Sequence, residues 1–155
     1  MADILQHLRD NREWGNLYHE LHGLTILSLS DGYAEVYLPA RPKVLNPMGK
    51  FHGGAIYTLC DVAAGTAAAA RGRLAVTLSS SMSYMRPGHN EEGLTAKTTE
   101  LKYGRTTAVY SVDVYQGDRL VANGQFTMFF TGEEMGETTS PQALSSLSST
   151  GMKCI

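Results

Sequence analysis

The sequence has few cysteines and no excess of charge of either sign. Only two of its 155 residues are cysteine, too few for a disulfide framework, so we expect a reducing compartment and predict a cytoplasmic protein. Its 13 basic and 15 acidic residues give a formal net charge of −2, with no basic stripe or polybasic cluster. This balance argues against a nucleic-acid partner and against binding to an anionic membrane.

The sequence also lacks a hydrophobic block of the kind that targets a chain or crosses a membrane. Its first ten residues, MADILQHLRD, include Asp3 and Arg9 and predict no signal peptide. The long run of small and apolar residues at 53–70 contains Asp61 near its middle, which would cost about 2.5–3.5 kcal/mol at the centre of a bilayer. We therefore expect this run to form a helix buried in a soluble protein.

Composition and periodicity indicate one globular domain over residues 1–132, because 43% of the residues are hydrophobic and 18% are charged. Helical spacing covers about residues 2–21, and two strand-like runs surround a turn at Asp31 and Gly32. A loop with three prolines leads into the buried helix, and four alternating segments separated by glycine turns follow it. The serine- and threonine-rich residues 133–155 predict a disordered tail.

This order of elements predicts an α+β fold in which an antiparallel sheet wraps around a central helix. A helix that is apolar on all sides can be buried only if a sheet curls about it. Val, Tyr and Leu occur on both sides of several strands, so the outer face of the sheet is expected to meet a partner. We therefore predict that the chain is at least a dimer.

Two features of the buried helix indicate chemistry. His52, Gly53 and Gly54 precede or begin it, and a helix N-terminus offers unpaired backbone N–H groups that can hold an anion or a developing oxyanion. The alternative is that the glycines only permit close packing. Asp61 is a carboxylate among apolar residues with no cationic neighbour on its helix, which makes it a candidate general base or nucleophile. The alternative is a structural aspartate that caps a nearby loop.

Other catalytic motifs are absent or weak. The sequence contains neither a G-x-S-x-G nucleophile elbow nor a phosphate-binding GxxxxGK[ST] loop. His19 and His22, in the stretch HELH, are three residues apart without a third ligand, so they predict a solvated helix face and no metal site.

The stretch NPMGKFHGGAIYTLCDVA closely resembles the signature of hotdog-fold acyl-CoA thioesterases. The resemblance is to the branch that contains the phenylacetate-degradation type and the related 4-hydroxybenzoyl-CoA type. It consists of Asn and Gly in the loop, His-Gly-Gly, and an acid eight residues after the first of those glycines. The later stretch VTLSSSMSYMRP resembles the strand that follows the family's helix, and the likeness spans roughly residues 24–130.

The resemblance implies an enzyme that hydrolyses an acyl-CoA thioester to a free acid and CoA without a metal or other cofactor. Asp61 matches the acid that activates water or attacks the thioester carbonyl, and Gly53 matches the residue whose N–H polarises that carbonyl. Asn46 matches a loop amide that orients water or the thioester, and Thr77 matches a hydroxyl residue that helps to hold the water. His52 belongs to the motif, and we expect it to be a structural hydrogen-bonding residue.

The predicted substrate is an aryl-acyl or medium-chain acyl-CoA. An acyl pocket is expected from Met48, Phe51, Tyr57, Tyr84 and Met85. The cations Arg86, Lys102 and Arg105 are candidates for the CoA phosphates. The residues predicted to bind substrate are His52, Gly54, Tyr84, Arg86 and Arg105.

The spacing of the two central groups raises a geometric problem. Gly53 and Asp61 are eight residues apart, about 12 Å along a helix, too far to act on one carbonyl. Two antiparallel helices from two subunits would bring Gly53 of one beside Asp61 of the other. We therefore predict a homodimer with its site at the interface, and a homotetramer as a dimer of dimers.

Two other functions stay open at this point. One is a non-catalytic acyl-CoA binding module that uses the same pocket, although an unpaired acid serves no purpose in a pure binder. The other is a hotdog hydratase or dehydratase, whose usual D-x-N-x-x-H pattern the stretch DNREWGNLYHE does not fit.

Overall fold

Six antiparallel strands form one sheet that curls around a single long helix. The computed structural model describes residues 17–134 of the chain. The elements, in chain order, are α1 (Leu17–His22), β1 (Thr25–Ser30), β2 (Tyr33–Leu38), a short 3₁₀ helix (Pro42–Val44), α2 (Gly53–Ala69), β3 (Arg73–Tyr84), β4 (Leu94–Tyr103), β5 (Thr107–Gln116) and β6 (Arg119–Glu134).

The strands lie in the order β1-β2-β4-β5-β6-β3, and every neighbouring pair is antiparallel. Three pairs are hairpins, β1–β2, β4–β5 and β5–β6, whereas α2 carries the chain across the sheet from β2 to the opposite edge, where β3 pairs with β6. The predicted α+β fold, an antiparallel sheet around a central helix, is confirmed.

The first hairpin turns at the dipeptide that the sequence indicated. β1 ends at Ser30 and β2 begins at Tyr33, so Asp31 and Gly32 form the turn. Gly32 has a φ of 68°, a conformation that glycine adopts at little cost and that two-residue hairpins commonly require.

Small side chains allow α2 to lie inside the sheet. Ala63, Ala64, Ala67 and Ala68 are fully buried, and the helix contacts β2, β3, β4, β5 and β6. An alanine surface lets the backbone of the helix approach the sheet closely, while large side chains such as Tyr110 and Phe126 fill the remaining volume. The core is therefore organised around the one helix that the sequence singled out.

One face of α2 is not covered, so the expectation of a helix buried on all sides is wrong for a single chain. Gly53, Tyr57 and Asp61 are spaced four residues apart and therefore share a face of the helix. All three are partly or largely exposed, and the structure places Asp61 at the edge of the core rather than within it. The sheet curls around the other faces and leaves this one open beside β3.

The ends of the sequence fall mostly outside the described residues. Of the helix predicted at about 2–21, the structure describes only Leu17–His22. The predicted tail at 133–155 lies beyond the described range, except that β6 runs to Glu134. No helix within residues 17–134 is long and apolar enough to cross a membrane. The cytoplasmic location stays a prediction.

The packing of α2 predicts opposite effects at two nearby positions. Ala67→Leu should lower the free energy of unfolding by about 1–3 kcal/mol, because it forces extra volume into a filled core. Helix propensity cannot explain such a loss, since leucine is nearly as good a helix former as alanine. Gly65→Ala is the matched control, because an added Cβ would lie 3.9 Å from Met128 Cε, an ordinary contact.

Gly65→Ala should raise the free energy of unfolding by about 0.5–1 kcal/mol. Denaturant titrations of both variants at one fixed protein concentration would measure these changes. Equal stability of Ala67→Leu and the unsubstituted protein would contradict a tightly filled helix–sheet contact.

Candidate active site

His52 caps the N-terminus of α2. Its ring Nδ1 accepts a hydrogen bond from Gly54 N–H at 2.9 Å, and its backbone carbonyl accepts from Ala55 and Ile56. Within residues 17–134, Gly53 N–H donates no hydrogen bond. The first turn of the helix therefore presents one free donor, Gly53 N–H, whereas the N–H of Gly54 is already used.

Asn46 organises the loop that leads into the helix. Its Oδ1 accepts hydrogen bonds from the backbone N–H of Met48 at 2.9 Å and of Lys50 at 3.1 Å. These two bonds fix the orientation of the amide, because only the oxygen can accept. The Nδ2 group is left for other partners, and Asn46 lines the cleft at the start of α2.

Three hydrogen bonds connect the uncovered face of α2 to β3, and we call this line the α2–β3 seam. It consists of Tyr84 Oη donating to Gly53 O at 3.1 Å, Tyr57 Oη with Ser80 Oγ at 2.7 Å, and Thr77 Oγ1 donating to Asp61 Oδ1 at 2.6 Å. Asp61 is therefore not without a partner, although Thr77 supplies a neutral donor and not a cation. The carboxylate keeps a second oxygen for chemistry.

A cleft of about 310 Å³ opens at the N-terminal end of the seam. Its walls combine apolar side chains with hydrogen-bond donors and two cations. It is lined by Asn46, Met48, Lys50, Phe51, Gly53, Ile56, Tyr84, Met85, Arg86, Pro87 and Gly88. Of the residues predicted to bind substrate or act on it, the structure brings Asn46, Gly53, Tyr84 and Arg86 together here.

Asp61 and Thr77 form a second group farther along the seam and do not line this cleft. Two helical turns separate Asp61 from Gly53, about 12 Å of rise. One chain therefore holds an N–H donor and a carboxylate on the same face of one helix, too far apart to act on the same atom.

The predicted phosphate-binding cations do not lie together. Arg86 is in the loop that follows β3, at the end of the sheet where α2 begins. Arg105 and Lys102 belong to the region of the β4–β5 turn, where Arg73 donates a hydrogen bond to Arg105 O at 2.6 Å. Because β3 runs from one end of the sheet to the other, the structure places Arg105 at the opposite end from Arg86.

The sequence did not reveal two contacts that shape this region. Tyr57, predicted only as a pocket residue, hydrogen-bonds to Ser80 in the seam. Lys50 Nζ lies 2.7 Å from His89 Nδ1, a residue 39 positions later in the chain. A lone lysine in a loop and a lone histidine in another carry no signal that they meet.

Burial raises the pKa of two groups at the seam, the Tyr84 hydroxyl and the Cys60 thiol. Burial, followed by the neighbouring Cys60 and Tyr57, raises the pKa of Tyr84, so its hydroxyl stays a donor to Gly53 O at neutral pH. Burial raises the pKa of the Cys60 thiol far more strongly. Cys60 is completely inaccessible and lies beside Asp61 in sequence, but its protonated thiol is not a nucleophile.

The two histidines of HELH lie on α1 near α2. Tyr18 Oη contacts Thr58 Oγ1 at 2.9 Å, and the His22 ring packs edge-on against Tyr18. Among the residues that the structure describes, no three His, Cys, Asp or Glu side chains come together as metal ligands.

Comparisons with known proteins indicate the family and the fold of this chain. A family model described as the thioesterase superfamily matches residues 48–123. The acyl-coenzyme A thioesterase PaaI of Escherichia coli is 30% identical over 92 residues, which cover 59% of this chain and 66% of that protein.

Two solved structures are similar over more of the chain. A conserved protein of Pseudomonas aeruginosa is 38% identical, with a TM-score of 0.73, over 77% of this chain and 98% of that chain. A hypothetical thioesterase of Streptococcus pneumoniae, solved with coenzyme A, is 38% identical, with a TM-score of 0.68, over 72% and 90%. Two further structures of the pneumococcal protein carry an Asp-to-Ala and a Thr-to-Ala substitution, at positions sixteen residues apart.

The burial of Cys60 predicts that its thiol does not react in the folded protein. In a Cys154→Ser background, the native protein should give no reaction with an aromatic disulfide reagent at about pH 8, because the thiolate is scarce and inaccessible. In denaturant, one cysteine per chain should react and release one aromatic thiol from the reagent. Rapid reaction of the native protein would show that the core at Cys60 opens readily.

Proposed function

The chain belongs to the thioesterase superfamily, with the hotdog fold of its acyl-CoA thioesterases, and we propose that Asp61 is the catalytic carboxylate with which it hydrolyses an acyl-CoA. The observation that carries this proposal is the 2.6 Å hydrogen bond from Thr77 to Asp61 on the uncovered face of α2. This bond fixes one oxygen of the Asp61 carboxylate and leaves its second oxygen for the reaction. The proposed products are a free acid and CoA.

The reaction needs a base and a place for negative charge. Asp61 takes a proton from a water molecule whose oxygen attacks the thioester carbonyl, and the C–S bond then breaks. The sulfur leaves as the thiolate of CoA and takes up the proton that Asp61 removed from water, while the acyl group leaves as a carboxylic acid. Direct attack by the carboxylate, with an anhydride that water then hydrolyses, uses the same residue and stays an alternative.

We propose that Gly53 N–H of a second subunit stabilises the oxyanion. Its freedom from internal hydrogen bonds and its position at a helix N-terminus suit this role. Asn46 Nδ2, in the same cleft, would orient the thioester or the water.

The surface beside the seam supports this two-subunit arrangement. β3 is an edge strand of twelve residues, and its side chains include Val76 at 53% and Leu78 at 61% exposure. A long edge strand that exposes apolar side chains such as these is commonly covered by another chain. A second copy paired antiparallel along β3 would cover it and would bring the start of one α2 next to the middle of the other.

The exposed outer face of the sheet, which includes Phe129, suits a second pairing into a dimer of dimers. The acyl group would lie along the seam between the two copies. Met48 and Tyr57 are exposed there in a single chain and have the size to hold an aryl or medium-length acyl group.

The pneumococcal relative supports the assignment of Asp61 and Thr77. Its substituted aspartate and threonine are sixteen residues apart, which is also the separation of Asp61 and Thr77. That protein was solved with coenzyme A, and a Streptococcus mutans relative was solved with acetyl-CoA. Both relatives support an acyl-CoA substrate for this chain.

Substitution of the two residues should give graded losses. Asp61→Asn should lower kcat by about 10²–10⁴-fold, the span expected for a positioned acid or base, with an unchanged circular dichroism spectrum. Thr77→Val should lower it by about 10-fold or more, because it removes a hydrogen bond to a charged group. Thr77→Ser keeps the hydroxyl and is the matched control.

Release of CoA from several acyl-CoAs, followed with a thiol reagent, would measure these rates. Near-normal turnover by Asp61→Asn on the best substrate would remove Asp61 from the mechanism. The same assay on the unsubstituted protein decides between an enzyme and a non-catalytic acyl-CoA binder.

Mixing two inactive variants should restore activity if the site is shared between subunits. Gly53→Pro removes the polarising N–H, and Asp61→Ala removes the carboxylate. Proline suits this first helical position, because His52 before it is extended, with φ −66° and ψ 137°. After random re-pairing, half of the dimers are mixed and one of their two sites is whole, so about a quarter of normal activity should return.

Mass spectrometry of the re-paired mixture would establish that mixed dimers have formed. If the site lay within one chain, no mixture could create an intact copy. Activity that stays at the level of the two parents would therefore exclude the shared site without affecting the assignment of Asp61.

A further inference from the structure

We infer that Lys50 is a specificity-determining residue of this site: oriented by His89, its ammonium group binds an anionic part of the substrate. The anion is either a phosphate of the CoA moiety or a carboxylate at the far end of the acyl group. The inference rests on the proposed function, since it places Lys50 in the cleft that Gly53 and Asn46 also line.

The contact between Lys50 and His89 fixes the position of the charge. Lys50 Nζ lies 2.7 Å from His89 Nδ1. An ammonium group can only donate hydrogen bonds, so Nδ1 is the acceptor and the imidazole is in the form that carries its proton on Nε2. One of the three ammonium hydrogens is used in this way, and two are left for a ligand.

His89 is itself held by a buried amide. Gln116, 8% exposed, accepts a hydrogen bond from His89 N at 2.9 Å and donates to His89 O at 2.6 Å and to Glu92 O at 2.8 Å. Both backbone groups of His89 are thus fixed to the end of β5. The position of the ring follows from the core of the protein and not from a free loop.

The loop that carries Lys50 is fixed to the same segment. Lys50 and His89 form an isolated β-bridge, and Phe51 N donates to Gly88 O at 3.0 Å. Gly88 permits this approach, because an added Cβ there would lie only 3.1 Å from the Phe51 ring. The ammonium group is therefore placed before a ligand arrives, which reduces the entropy lost on binding.

The charge of Lys50 is not neutralised by the protein. The salt bridges within residues 17–134 are Arg71–Glu100 and Lys97–Glu35, and neither includes Lys50 or Arg86. None of the described residues that line the cleft is acidic. Arg86 uses one N–H for Leu120 O at 2.8 Å and keeps the rest. Two anchored cations and a free helix N–H therefore share one cleft, an arrangement that favours an anionic ligand.

Lys50→Met tests the inference, because it keeps the length of the side chain and removes the charge. Lys43→Met is the matched control, since Lys43 is exposed in the short 3₁₀ helix and does not line the cleft. Four substrates separate the sources of the anion: butyryl-CoA, glutaryl-CoA, and the N-acetylcysteamine thioesters of the same two acids. The N-acetylcysteamine thioesters have no phosphate, and butyrate has no second carboxylate.

Lys50→Met should lower kcat/KM by about 10-fold or more on the substrates that carry the recognised anion, mainly through KM. Loss on both CoA thioesters alone identifies the phosphate, and loss on both glutaryl substrates alone identifies the carboxylate. An equal loss on all four substrates, or no loss on any, would overturn the inference. Lys43→Met should leave all four rates unchanged.

His89 is a positioning residue, and its role has a separate readout. His89→Ala should raise KM on the same substrates as Lys50→Met and leave kcat nearly unchanged, whereas His89→Gln, which keeps an acceptor, should restore most of the loss. A fall in kcat on all substrates would indicate a general structural defect instead.

Failure of the proposed function can be recognised independently. If the unsubstituted protein hydrolyses none of the four substrates and no aryl-acyl-CoA or medium-chain acyl-CoA either, that function is wrong, and the inference is then decided by calorimetric titration with CoA, butyryl-CoA and glutaryl-CoA. Weaker binding of any of these to Lys50→Met, but not to Lys43→Met, supports the inference. Equal binding by the two variants overturns it.

Discussion

Close contact between an alanine-rich helix and the sheet around it is the constraint on which the other features depend. Because Ala63, Ala64, Ala67 and Ala68 add little volume, the sheet can curl around α2 from both sides. The six-stranded sheet does not close around the helix, and one face of α2 is left uncovered beside the edge strand β3. Every polar group proposed for catalysis is on that face or at its end.

The uncovered face explains why an acid can occupy an otherwise apolar helix. A carboxylate in the middle of the alanine contacts would lose its hydration without compensation. Asp61 is turned by the helical repeat to the open side, where Thr77 supplies a hydrogen bond at 2.6 Å. Cys60, one residue earlier, points into the core, and burial raises the pKa of its thiol. Cys60 and Asp61 are adjacent in sequence, but the helical repeat places one in the core and the other at the open face.

The sequence predicted the order of elements, the hairpin at Asp31 and Gly32, and the fold, because periodicity and glycine turns are local signals and the HGG…D motif is specific. It did not predict how far Asp61 is exposed, since that depends on which face of α2 the sheet covers. Lys50 and His89 meet across 39 residues through a loop pairing that no local pattern encodes. Arg105 was grouped with Arg86 by charge alone, and only strand topology shows that they lie at opposite ends.

The distribution of charge along α2 gives a physical reason for pairing two copies. Gly53 N–H lies at one end of its open face, next to the cleft that Lys50 and Arg86 line, while the acid lies two turns away. Parallel association would place donors against donors and acid against acid. Antiparallel association along β3 would place the donor end of each copy against the acid of the other, which is electrostatically favourable and repeats by two-fold symmetry. The proposed arrangement that would cover the exposed edge strand would therefore also bring a donor and a base to a single carbonyl.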